Sequence, residues 1–102
     1  MDISKFYSYL AAILRSARVR ADLTQVEVAS RARVTRRYIQ SVENGKQETS
    51  LSTLFVIAEA MGISPSHLVS ELENAIKNDQ LPTSAIETLP PQRLGRPYKN
   101  RK

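Results

Sequence analysis

A chain of 102 residues has room for one domain and a tail, but not for a separate ligand-sensing domain. It contains no cysteine, which excludes disulfides and thiolate metal sites and suits a reducing cytoplasm. The net charge of +5 is unevenly spread: residues 15–46 carry +5, residues 47–92 carry −5 and the last ten residues carry +5. A basic module, an acidic body and a basic tail turn the molecule towards a polyanion, with nucleic acid the leading candidate. There is no run of about 18 apolar residues and no signal-peptide pattern. The expectation is therefore a soluble, cytoplasmic, nucleoid-associated protein that leaves membranes alone.

Proline and glycine stay out of the helix interiors within residues 3–78, and apolar residues recur at helical spacing, so the predicted class is all-α. The first helix is predicted over Ile3–Arg20, with Phe6, Leu10, Ile13, Leu14 and Ala17 on one face, and Asp22 ends it in a left-handed conformation. Thr24 and Glu27 form a capping box at the start of the second helix, in which Val28 and Ala29 face inward. Thr35 caps a third helix that buries Ile39 and Val42, turns Arg36 and Arg37 outward, and stops at Gly45. The fourth is capped by Ser50, buries Leu51, Leu54, Ile57 and Ala58, and stops at Gly62. Ser64 and Pro65 open a fifth over about 65–78, with Leu68, Val69, Leu72, Ala75 and Ile76 apolar. From Asp79 on, Pro82, Pro90, Pro91 and Pro97 with little periodicity predict an extended or disordered basic tail over 79–102.

Residues 24–45 thus form two short helices joined by a tight turn, the second opening on adjacent arginines. Such a helix, held by another packed behind it, fits the DNA major groove. From about Leu10 to Leu72 the chain resembles the helix-turn-helix domains of the phage-repressor type, the Cro/repressor (XRE) family. The resemblance rests on L-T-Q-V-E-V-A, then V-T-R-R-Y-I, V-E-N-G-K, and S-L-S-T-L followed by I-A-E-A-M-G-I-S. In size the chain is closest to single-domain phage repressors and restriction–modification controllers.

The resemblance implies a compact four- or five-helix bundle in residues 1–78 that binds double-stranded DNA, usually as a homodimer. It places Gln25 on a backbone phosphate, where the amino-terminal end of a helix also favours an anion. Thr35, Arg36, Arg37 and Ser41 fall at positions facing base edges or the flanking backbone. Tyr38 either touches the backbone or packs on the domain surface. Asn44 and Lys46 match backbone clamps, and Arg18 and Glu43 match a partly buried structural ion pair. Arg33 stands where the family usually has glycine, and so is expected at positive φ.

Helix five carries more apolar surface than one monomer is expected to cover, so Leu68, Leu72 and Ile76 are candidates for a two-fold contact. In the tail, Arg93, Gly95, Arg96 and Pro97 resemble the core of an AT-hook, which lays arginine into the narrow minor groove. Leu94 departs from that pattern, and generic phosphate attraction or solubility are the alternatives. No catalytic constellation, metal-ligand spacing or cofactor loop is legible: His67 reads as a surface residue, and Glu71 and Glu73 as solubilising charges. The reading is a non-enzymatic transcriptional regulator, expected to act as a repressor through RNA polymerase access or recruitment. The alternatives are an antitoxin-type regulator with a toxin partner and a protein-interaction adaptor.

Overall fold

The longest helix is started by a residue that the apolar pattern does not advertise. The Asp2 carboxylate accepts the backbone N–H groups of Ser4 at 3.0 Å and Lys5 at 3.4 Å, satisfying donors that have no partner inside the helix. The computed structural model describes residues 1–87, and among them are α1 (Ile3–Arg20), α2 (Gln25–Ala32), α3 (Arg36–Glu43), α4 (Leu51–Met61), α5 (Pro65–Asn78) and α6 (Thr83–Glu87). No strand occurs among the described residues, and no helix is long and apolar enough to cross a membrane. The candidate minor-groove residues Arg93, Gly95, Arg96 and Pro97 lie outside the described residues.

α1 is the spine: α3, α5 and α6 all pack against it, while α2 packs on α3 and α4. Ile13, Leu14, Val28, Ile39, Ile57, Ala58 and Leu68 are each at most 2% exposed and form the centre of the core. Most helix ends carry their own stop signals. Asp22 adopts φ 60° just beyond α1. Arg33 adopts φ 60° after α2, where Val34 N–H reaches back to the Ala29 carbonyl at 3.0 Å and satisfies the helix end. Gly62 does the same for α4 at φ 74°, and the Arg31 guanidinium adds a hydrogen bond to the Ala60 carbonyl at 3.2 Å.

The structure corrects the sequence reading in several places. Leu51 is 66% exposed: it is the first residue of α4, a turn before Leu54, where the buried stretch of the helix begins. Val69 is also exposed, at 41%. Leu68 and Leu72, expected at a dimer contact, are 0% and 5% exposed and complete the monomer's own core; Ile76 packs partly buried at its edge. Glu71 is no solvated charge: its side chain is 16% exposed and its Oε1 is buried without a hydrogen-bond partner. Ser64 precedes α5 in an extended conformation, but its hydroxyl bonds Ser66 rather than a backbone N–H.

The largest correction concerns residues after Asp79, which do not run straight into a tail. The Pro82 carbonyl accepts from Ala85 N–H at 3.0 Å and Ile86 N–H at 3.1 Å, starting α6 at a place where proline's missing N–H costs nothing. Ala85, 1% exposed, docks with α6 on α1. There the fully buried Ser16 hydroxyl donates to the Ser84 carbonyl at 3.2 Å and accepts from Arg20 Nε at 3.1 Å. Asp79, at φ 52°, receives the Tyr9 hydroxyl at 2.7 Å and pairs with Lys5.

That junction is pH-sensitive. Lys5 first, and the Tyr9 hydroxyl next, hold the Asp79 carboxyl below its ordinary range, and Asp79 raises the Lys5 ammonium in return. The Ser4 hydroxyl lowers Asp2, and the Thr24 backbone N–H lowers Glu27. A depressed carboxyl contributes stability above its unfolded-state value and loses it as pH falls through the folded one. A raised ammonium contributes below its unfolded-state value and loses it as pH rises through the folded one. The thermal midpoint is therefore expected to stay flat between about pH 5 and 9 and to fall on both sides, below the ordinary carboxylate range and above the ordinary lysine range. A midpoint that rises on acidification would contradict these assignments.

Candidate nucleic-acid interface

The amino-terminal end of α2 is built by reciprocal capping. Thr24 Oγ1 accepts from Glu27 N–H at 3.0 Å, and the Glu27 carboxylate accepts from Thr24 N–H at 2.8 Å. This fixes Gln25 as the first helical residue. Its amide Nε2 donates to Glu43 Oε1 at 3.2 Å, which spends one of two amide donors and orients the group.

Glu43, the last residue of α3, is the hub. Arg18 grips it with both prongs, Nε to Oε2 at 2.7 Å and Nη2 to Oε1 at 3.0 Å, while Nη1 donates to the Leu23 carbonyl at 2.9 Å. The two side chains are 15% and 5% exposed. One carboxylate thereby ties α1, the entry to α2 and the end of α3 into a single rigid frame, with bidentate geometry that lysine does not supply.

α3 presents its outer face on that frame. Thr35 adopts an extended conformation and its hydroxyl accepts Tyr38 N–H at 3.0 Å, leaving the hydroxyl proton to donate outward. Ile39 and Val42 are buried beneath, whereas Thr35, Arg36 and Arg37 are exposed and Ser41 is half-exposed. Tyr38 packs partly buried against the core. The eight residues of α3 span about 12 Å, which matches the width of a B-form major groove.

Beside its first turn lies a cleft lined by Arg18, Thr24, Gln25, Val26 and Arg36. Beyond its last turn, Asn44 and Lys46 are exposed. Gly45 between them has φ 73°, and a Cβ on it would stand 3.3 Å from the Tyr7 carbonyl oxygen. At that φ and with that close an approach to α1, glycine is the residue that fits without strain. The predicted residues thus fall into three groups on one frame: Gln25 at one end of α3, Thr35, Arg36, Arg37 and Ser41 along it, and Asn44 and Lys46 at the other.

Two residues escaped the sequence reading. Arg31 caps α4 from below the motif. Arg15, counted there only as a charge, lines the same cleft as Asn44 and Lys46. Its place depends on how closely α3 exits past α1, and no local pattern records that.

Known proteins of similar sequence and shape support a common ancestry for this scaffold. The helix-turn-helix family matches residues 14–68. The immunity repressor protein of Bacillus phage phi105 is 39% identical over 67 residues, which are 66% of this chain and 46% of the repressor, so less than half of that relative is spanned. An uncharacterised HTH-type transcriptional regulator of Sinorhizobium fredii, y4dJ, is 38% identical over 70 residues, 69% of this chain and 87% of that protein. The crystal structure of the restriction–modification controller protein C.AhdI from Aeromonas hydrophila superposes with a TM-score of 0.64 at 28% identity, covering 67% of this chain and 99% of that one. With the family matching more than half of its length on the same helical scaffold, the chain belongs to the helix-turn-helix family of Cro/repressor (XRE) type.

Proposed function

We propose that this chain is a sequence-specific transcriptional regulator that binds an inverted-repeat operator as a homodimer and represses by covering the promoter. The observation that carries the reading is the placement of Arg36 and Arg37. They are exposed on the first turn of a helix whose back is buried and whose length fits the groove. Each guanidinium can fork onto guanine O6 and N7. The second amide hydrogen of Gln25 and the ammonium of Lys46 supply backbone contacts at opposite ends of α3, which fix the register without reading sequence. The immunity-repressor relative favours repression over activation.

The test is selection of bound duplexes from a random library by the full chain. Enrichment of an inverted repeat with guanine in its half-sites is the expected result. Salt-sensitive binding to every duplex alike would refute sequence-specific regulation.

Two copies have to present their α3 helices one helical turn, about 34 Å, apart. With Leu68 and Leu72 closed inside the monomer, the exposed apolar face of α4 is the better surface for this contact. Leu51, Phe55 and Val56 are 66%, 47% and 41% exposed, and Leu51 and Phe55 lie one turn apart on one face. Their end of α4 follows α3 after seven residues, so an axis there keeps both recognition helices near each other. Phe55→Asp is expected to sediment as a monomer while Ile76→Asp remains a dimer, and the reverse outcome would move the contact to α5.

A further inference from the structure

We infer that α1 clasps the DNA backbone through a phosphate-binding cleft built from Ser8 and Arg15 together with Asn44 and Lys46. This rests on the DNA-binding reading and extends the contact surface to a helix outside the motif.

The cleft, of about 420 Å³, lies between α1 and the exit of α3, and its lining includes Ser4, Ser8, Arg15, Asn44, Gly45 and Lys46. Around Ala11 and Ala12 the lining gathers residue types suited to an oxyanion: an arginine, a lysine, an asparagine and serines. Glu43 also lines it, but both of its oxygens are engaged by Arg18 and one of them also by Gln25, so its charge is compensated from behind. Ser4 donates its proton to Asp2 at 2.9 Å, which leaves Ser8 as the hydroxyl donor of the α1 wall.

The position of the cleft identifies the anion as backbone phosphate. It sits at the carboxy-terminal end of α3, opposite the cleft that holds Gln25 and Arg36. A helix about as long as the major groove is wide meets a phosphate strand at each end. Ser8 and Arg15 are seven residues apart, about 10 Å along α1. Phosphates recur about every 3.4 Å of axis per strand, so a wall of that length is long enough to reach beyond the one phosphate that Lys46 alone would hold. The positive φ of Gly45 and its close approach to Tyr7 are what bring the two walls together.

The test is the salt dependence of binding by full-length variants to a duplex of roughly 30 base pairs carrying the selected repeat, with a mixed-sequence duplex of equal length beside it. Arg15→Gln is expected to reduce the slope of log K against log salt by about one unit on both duplexes, and Arg15→Lys to retain it. Ser8→Ala is expected to weaken both duplexes by roughly two- to ten-fold. Ser8→Asp, which puts a carboxylate into the cleft and sits on an exposed surface, is expected to weaken them further. Wild-type slope and affinity in both Arg15→Gln and Ser8→Asp would overturn the clasp while leaving the regulator reading intact. A wild-type chain with no salt-sensitive affinity for either duplex would overturn both.

Discussion

Glu43→Ala is expected to destabilise the fold by about 3–5 kcal/mol, because it leaves the Arg18 guanidinium largely buried without its counter-charge. Against a total stability of roughly 5–15 kcal/mol for a natural domain, that is a large share, and at the low end of the range it brings the protein close to its unfolding midpoint. The reverse substitution, Arg18→Ala, strands the 5% exposed Glu43 carboxylate with only the Gln25 amide and should cost a similar amount. The pair itself is not expected to be worth so much. Arg18→Met combined with Glu43→Leu exchanges two compensated charges for apolar side chains of similar volume, and should recover most of the loss. Urea midpoints of the wild type, Arg18→Met, Glu43→Leu and their combination form a double-mutant cycle that separates the two quantities. Single-variant losses below about 1 kcal/mol would mean that water reaches the pair, and that it behaves as a surface ion pair. The rescued double variant should nevertheless bind DNA worse than its stability suggests. Gln25 is oriented by Glu43, and a leucine there offers no acceptor to hold the amide.

Features written in a few adjacent residues were legible in the sequence. The Thr24–Glu27 box, the Thr35 cap, the left-handed Asp22 and Arg33, and the stop at Gly62 all depend on local backbone geometry, and all are present. The family resemblance carried the rest of the frame and pointed to Arg18 and Glu43 across 25 positions, where they do meet. What failed depends on contacts between distant segments. Periodicity cannot distinguish Leu51 from Leu54: both are apolar, but one sits at the first position of α4 facing outward and the other faces the core. Periodicity likewise cannot tell that Leu68 and Leu72 of α5 are covered by the monomer itself while Val69 stays 41% exposed. α6 has only five residues, too few to be stable alone, and depends on Ala85 docking against α1. A segment after Pro82 read by composition looks like tail because the contact that folds it lies nearly seventy residues earlier, at Ser16.

Replacing both Arg36 and Arg37 by lysine is expected to abolish guanine preference at the positions they read while leaving binding to arbitrary DNA nearly intact. The distinction follows from the two chemistries. Lysine keeps the positive charge, so attraction to the phosphate strands and the salt slope should hardly change. It lacks the planar fork that matches guanine O6 and N7 together, and each such contact contributes roughly 1–3 kcal/mol of discrimination. Removing two should therefore flatten the half-site preference by one to two orders of magnitude at each position read. Alanine at both sites confounds these effects because it removes charge as well. Lys46→Ala provides the opposite signature, weakening all sequences alike and reducing the slope by about one unit. Selection of duplexes with the lysine variant decides the matter. If it enriches the same repeat with the same guanines, the bases are read by Thr35 and Ser41 on the same face of α3, and the two arginines belong to the phosphate contacts. If the repeat persists with its spacing but loses its guanines, the dimer sets the frame and the arginines read the letters within it. That separation is the one expected when a buried Arg18–Glu43 hub holds α3 rigidly while the exposed side chains of its first turn face outward.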